Sequence, residues 1–343
     1  MFSKETMVSI TEQLVNCDSP VGYYEEITPL MREISARYGY ELTEDRKRTL
    51  YLTLEGEHPE KTVCVGAHLD TIALIVRHIC KDGTLEVRNL GGINYNNAEG
   101  CHVRVHTRDE RVYTGTICCK SHSTHVYEDA RSRVRDESAM MVVLDEKVFS
   151  DTDVRALGIE HGDIIAIEPD FRYLPAGYIK SRFIDDKAAV AVVFAVIEYM
   201  VKNNIKPYYN VKFAFPFYEE IGHGGAYLPP EIEEYVAIDI GLIGPDHTGD
   251  EFKTAICAKD NYTPYDRALT SKLIRLAKEN DVNYSVDVFY RYGTDASAAI
   301  RAGNNVYAAA FGMCCFASHG MERTHIDALD ETAKLLYAYL RSE

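Results

Sequence analysis

An α/β layered domain interrupted by a β-rich insertion is the architecture this sequence predicts, on three observations. From about residue 184 onward, strand-like and helix-like periodicities alternate, the arrangement of a sheet covered by helices. Between residues 72 and 174 the texture changes to short alternating segments separated by Gly and Asp turn signals, as in a barrel or sandwich. The chain of 343 residues also exceeds the usual size of a single core, so a large unit with a smaller one is expected.

Taken in order, an amphipathic helix is expected near residues 25–38. Residues 62–67, Thr-Val-Cys-Val-Gly-Ala, are short, apolar and β-branched, as a buried strand requires, and end at His68-Leu69-Asp70. Inside the insertion, strand-like alternation falls on residues 84–88, 102–106, 112–117, 140–144 and 163–167. A helix then begins at Ile184. Its apolar run, 188–197, is half the ~20 residues needed to span a bilayer and follows an acidic pair, so it reads as a buried helix. Strands are expected at 211–218 and 235–238, a helix at 267–280, a strand at 286–290, a helix from Thr294, a strand at 306–311 and a last helix from Asp330. The α/β unit is therefore discontinuous, 1–71 plus 175–343, with 72–174 inserted.

Charge narrows the function. Against 37 basic residues stand 53 acidic ones, and a net charge of -16 opposes nucleic acid and anionic membrane surfaces as partners. Nine cysteines without a CxxC spacing, two pairs of them adjacent (Cys118-Cys119, Cys314-Cys315), fit reduced thiols and a cytoplasmic home. The N-terminus leads into a charged amphipathic segment rather than the apolar core of a signal peptide.

Metal-binding side chains recur just after apolar strands or in loops: His68-Leu69-Asp70, Asp185-Asp186, Glu219-Glu220, Asp239 and His325. Ligands of open α/β sheets collect beyond the carboxyl ends of the strands, so these residues can converge. Glu219 and Glu220 repel each other at the end of an apolar strand unless a cation or a proton resolves the conflict. With a metal there, one can ligate while the other takes a proton from water. His68 and Asp70, two apart in extended chain, point the same way, and a carboxylate commonly orients a metal-bound imidazole. Asp185 and Asp186 open an apolar helix, where one carboxylate caps and a second is free to bridge two ions. Asp239 is a charge between aliphatic residues and needs a metal or an ion-pair partner. Each has a plain alternative in a solvated turn, a helix cap or a surface histidine. In the segment 317–327 either His319 or His325 can ligate, while His122, His125 and His223 read as loop or pocket residues.

Together, Ala67-His68-Leu69-Asp70, Ile184-Asp185-Asp186-Lys187, Glu219-Glu220-Ile221-Gly222, Ala237-Ile238-Asp239, Gly293-Thr294-Asp295-Ala296 and Arg323-Thr324-His325 resemble the M42 metallopeptidases, the glutamyl, deblocking and tetrahedral aminopeptidase group, over nearly the whole chain. The resemblance implies a three-layer phosphorylase/hydrolase-like α/β catalytic domain with an inserted β-barrel for dimerisation, in homo-oligomers that reach dodecamers. It implies that Asp185 bridges two ions, with His68 and Asp239 completing one site and Glu220 and His325 the other. Glu219 would be the general base and Asp70 would hold His68. The implied activity is removal of N-terminal residues from peptides by attack of a metal-bridging water. Imidazole and carboxylate ligands suit zinc, with cobalt or manganese as alternatives. Leu69-Asp70-Thr71-Ile72-Ala73 departs from the more frequent Met-Asp-Glu-Ile-Gly, which leaves substrate preference open. Two other readings compete. An M20-type dipeptidase or deacylase acting on small or N-blocked peptides is separable by a substrate panel. A non-catalytic metal-binding assembly protein has no use for Glu219 beside Glu220.

Overall fold

The computed structural model describes residues 2–343. Its centre is a nine-stranded mixed sheet. Thr43–Glu44, Leu50–Leu54, Tyr209–Phe215, His58–Gly66, Ile232–Ile238, Tyr307–Cys315, Thr254–Lys259 and Tyr284–Val288 lie side by side in that order, and Gly241–Leu242 adds to the Tyr307–Cys315 strand. Four neighbours in the middle, from Tyr209–Phe215 to Tyr307–Cys315, run parallel, so their carboxyl ends share one edge.

Strict alternation gives the two faces different textures. Val63, Val65, Phe213, Phe215, Val236, Ile238, Phe311 and Met313 point into one core with the helices Lys4–Val15, Ile27–Ala36, Ile184–Lys202, Arg267–Glu279 and Ile326–Leu340. Their interleaved neighbours Cys64, Ala214, Ala237, Ala308 and Ala310 point to the other face. Those residues are small, so the short helix Asp295–Arg301 can settle there on Ala296 and Ala299. Helices on one side, the sheet, and the short helix with its loops on the other make three layers. The run 188–197 is fully buried between the sheet and the helices Lys4–Val15 and Ile326–Leu340. Among the described residues no helix is long and apolar enough to cross a membrane.

The insertion is a closed antiparallel barrel of six strands, ordered Ala73–Ile79, Leu85–Leu90, Met140–Leu144, Val112–Cys119, His102–His106 and Ile164–Ile167, with Leu74 opposite Ile165 at the closure. It has its own core, including Leu74, Val76, Val87, Val103, Val105, Ile117 and Val142. The barrel is joined to the α/β unit by a half-buried ion pair: Arg104 Nε and Nη2 each donate to Asp18 at 2.7 Å, and His106 Nε2 lies 2.8 Å from Asp18 Oδ2.

Several elements depart from expectation. The helix Lys4–Val15, capped by Ser3 on the amide of Thr6, and the strand Leu50–Leu54 were not anticipated, although Met7, Ile10 and Leu14 have helical spacing. The last helix begins at Ile326 rather than Asp330, and Tyr284–Val288 starts two residues before the expected strand.

Candidate active site

Three neighbouring parallel strands deliver the first residues. His58–Gly66 is followed by His68, Tyr209–Phe215 by Glu219 and Glu220, and Ile232–Ile238 by Asp239. Asp185 comes from the start of the segment Ile184–Lys202, where it and Asp186 are not yet in helical conformation, so their carboxylates turn towards the strand ends rather than follow a helix face. Potential ligand atoms of His68, Asp185 and Glu220 fall within 4.8 Å of one another, as do those of His68, Glu219 and Asp239 and those of Asp185, Asp186 and Asp239.

The orientation of two imidazoles organises the cluster. His68 Nδ1 lies 3.0 Å from the Asp70 carbonyl oxygen, and His319 Nδ1 lies 2.7 Å from that of Gly92. A carbonyl oxygen only accepts, so in both rings Nδ1 carries a proton and the ring turns Nε2 towards the cluster, the nitrogen a bound cation would take in place of its proton. His68 Nε2 is 3.1 Å from Asp185 Oδ1 and 3.7 Å from Glu219 Oε2. His319 Nε2 is 3.7 Å from Asp185 Oδ2 and 3.3 Å from Glu220 Oε2. The two oxygens of Asp185 thus face two different histidines.

His325, expected in this set, stands outside it. Its Nε2 lies 2.8 Å from the Ala176 carbonyl oxygen, its Nδ1 accepts from the amide of Asp327 at 3.1 Å, and its ring packs against Tyr178 and Phe252. Both ring nitrogens are engaged in capping the last helix and closing a small sheet, which leaves no lone pair to offer. His319, the weighed alternative, is the histidine that the fold sets beside Asp185 and Glu220.

A second layer of carboxylates fixes the backbone beneath. Asp70 accepts from the amides of Glu219 and Glu220, both at 3.1 Å, one on each oxygen. Its carboxylate is 3.5 Å from His68 Nδ1, so it steadies the two glutamates more than the histidine, which its own carbonyl orients. Glu322 does the same for the far side, accepting from Asp185 N at 3.1 Å and His319 N at 2.9 Å. Asp186 accepts from His68 N, and Asp295 from Gly225 N in the loop after Glu220. No local signal marks Glu322, whose two partners are brought to it only by the fold.

Electrostatics show what the cluster lacks. Burial pushes the carboxyl of Asp239 up to about 8, Glu220 to about 7 and Glu219 well above its usual range, and neighbouring carboxylates add to each shift. Asp185 goes the other way: burial opposes its charge, but His68 outweighs it. His319 rises to about 9, against the cost of burial, because Glu220 and Asp185 surround it. Asp186 Oδ1 is buried without a partner. Excess negative charge, an orphaned carboxylate oxygen and mixed imidazole and carboxylate donors fit divalent transition-metal ions. The other acidic and histidine group, Asp18, Glu26 and His106, is already answered by Arg104 and belongs to the barrel joint. A cavity of about 530 Å³ opens over the cluster, with Tyr262, Arg291, Tyr292 and Arg301 on its walls.

Known proteins resemble this chain in both sequence and fold. A sequence profile described as M42 glutamyl aminopeptidase matches residues 49–335. YhfE of Bacillus subtilis (strain 168), named as a candidate aminopeptidase, is 36% identical over 343 residues, covering 100% of this chain and 99% of that one. The TET1 peptidase of Pyrococcus horikoshii, described as assembling into a tetrahedron or a large octahedral shell, superposes with a TM-score of 0.82 at 25% identity, over 98% of this chain and 100% of the other. An aminopeptidase from the archaeon Desulfurococcus kamchatkensis shares the fold at a TM-score of 0.89 and 22% identity, over 99% and 96% of the two chains.

Proposed function

Because the chain belongs to the M42 peptidase family and is a peptide-bond hydrolase of the aminopeptidase kind, we propose a two-metal mechanism. In it His68, Asp185 and Asp239 hold one divalent ion, and Asp185, Glu220 and His319 the other. The observation that carries this reading is Asp185, whose Oδ1 and Oδ2 each face the Nε2 of a different histidine. Zinc suits the donors, with cobalt and manganese as alternatives. Bound there, such ions supply acidity to water and polarise a scissile carbonyl.

The chain's own groups do the rest. Glu219, held by its amide on Asp70 and with its carboxyl raised by burial, takes a proton from the attacking water and returns it to the departing amine. The carboxylate-rich floor and the net charge of -16 draw the ammonium end of a peptide inward. That end then sets the register, so only the first amide lies over the cluster. Nine unbridged thiols support a reducing, cytoplasmic setting. Exposed Phe149, Val126 and Val134 on the barrel side support self-association through the insertion.

The test pairs a substrate comparison with a variant. Mass spectrometry should show stepwise loss of N-terminal residues from a free peptide and none from its N-acetyl form. Glu219→Gln should lower kcat by about 100- to 10,000-fold while metal content stays near that of the unaltered protein. Internal cuts, equal cleavage of the acetylated peptide, or loss of metal from the variant would reject the assignment.

A further inference from the structure

The central sheet has two edges, and they are built differently. On one side it ends in Thr43–Glu44, two exposed residues set among Glu41, Asp45, Arg46, Lys47 and Arg48, a short and charged edge of the kind that resists pairing. On the other it ends in Tyr284–Val288, which among the described residues pairs only with Thr254–Lys259. That strand contains no lysine, arginine or proline. Its alternate residues Val286 and Val288, with Tyr290 just beyond, are 38%, 53% and 59% exposed. An apolar, unguarded edge is a template for a further strand.

The direction of its free backbone groups follows from the bonds it already makes. Phe289 N donates to the carbonyl of Lys259, and the carbonyl of Asn283 accepts from Thr254 N. Backbone groups of successive residues in a strand point to opposite sides, so Ser285 and Asp287 face the neighbouring strand with them. Tyr284, Val286 and Val288 therefore turn N–H and C=O outward.

We propose that the Tyr284–Val288 edge pairs with the same edge of a second copy of this chain, antiparallel about a two-fold axis at Val286, and so joins two sheets into one. Val286 then exchanges both backbone bonds with its own counterpart, and Tyr284 does so with Val288 on either side. On the exposed face Val286 meets Val286 and Tyr284 meets Val288, while on the other face Ser285 lies opposite Asp287. Moving the axis to Asp287 would set two carboxylates opposite each other, and moving it to Ser285 would shorten the overlap. Charge favours the same register. Asp281 and Arg291, both exposed, stand at equal distances before and after Val286, so each end of the paired edges brings an acid to a base. A second copy supplies this complement by symmetry, which an unrelated strand does not. Arg291 also lines the cavity over the carboxylate cluster, so the second copy borders that cavity. The contact is separate from the barrel and does not depend on the proposed reaction.

The test uses the purified full chain. With Val286 on the axis, the two Cα atoms of Val286→Cys lie about 5.5 Å apart, whereas those of Val288→Cys are displaced by about 14 Å along the strands. A short bismaleimide should link two copies of Val286→Cys at least about tenfold faster than two copies of Val288→Cys or of the unaltered chain, whose own nine cysteines give the background. Val286→Lys sets two ammonium groups face to face at an exposed position. It should keep the circular dichroism of the unaltered protein and reduce the mass of the sedimenting species to about half or less. If the lysine unfolds the chain, the cysteine comparison still decides. Equal linking at the two positions, no linking above background at 286, or an unchanged sedimenting mass in folded Val286→Lys overturns the proposal. An edge reserved for a peptide of another protein gives that result too, because the purified chain alone would then form no link at 286.

Discussion

His319 and His325 divide two tasks between them, and each is defined by where its ring nitrogens go. His319 turns Nε2 to the carboxylates of Glu220 and Asp185, whereas both nitrogens of His325 are taken by backbone groups. His319→Ala should therefore lower the affinity for one ion, with activity partly restored by excess metal. His325→Ala should keep its metal but lose the cap of the last helix, a cost of about 1 kcal/mol read as a shift in the denaturation midpoint. Metal analysis of both variants decides, and the reverse pattern would return the ligand role to His325. From the sequence the two could not be separated, because the carbonyls that orient them belong to Gly92 and Ala176, 227 and 149 residues away. Glu219, Glu220 and Asp239 were legible for the opposite reason. A charge set directly after an apolar strand announces itself locally.

At the scale of elements, the site is assembled by backbone amides that buried carboxylates hold in place. Glu322 joins the segment before the helical part of Ile184–Lys202 to the loop carrying His319, accepting one amide on each oxygen. Burial and nearby Asp185 push its carboxyl up to about 8, while the two amides pull it towards the anion. A glutamine has a single acceptor oxygen, and its NH₂ would confront the second N–H. Glu322→Gln should then leave one of these amides unsatisfied and Glu322→Ala both, at about 1–3 kcal/mol for each, with weaker metal binding in both. A glutamine variant that matches the unaltered protein in denaturation midpoint and metal affinity would sink this reading. The alternating strands, the buried helix and the β-rich texture of the insertion could all be read from periodicity. The strand Leu50–Leu54 and the barrel's closure could not, since both depend on partners distant in the chain, such as Phe213 opposite Leu52 and Ile165 opposite Leu74.

At the scale of the whole molecule, the barrel is joined to its own α/β unit, and the proposed association with further copies would use its outer surface. If its exposed Phe149, Val126 and Val134 are covered by another copy, sedimentation should give a species well above 38.7 kDa, and a concentration-independent monomer would remove that role. The inner connection rests on Asp18. Burial disfavours its charge, but hydrogen bonds from Arg104 and His106 outweigh that and hold the carboxyl down at about 2, against an ordinary value of 3.8. Because the folded value is depressed, the stabilisation is fully present above pH 3.8 and is lost as the pH falls towards 2. A shift of this size corresponds to about 2 kcal/mol. Asp18→Asn removes the charge at every pH, so the variant should be less stable than the unaltered protein by at least about that amount near neutrality. The difference between them should shrink as the pH passes from about 4 to about 2. Other carboxylates titrate in the same window, but they are common to both proteins and cancel in the difference. Urea denaturation of the two proteins across that range is the measurement; a gap that stays constant down to pH 2 would mean that the Asp18 charge does not hold the barrel to the α/β unit.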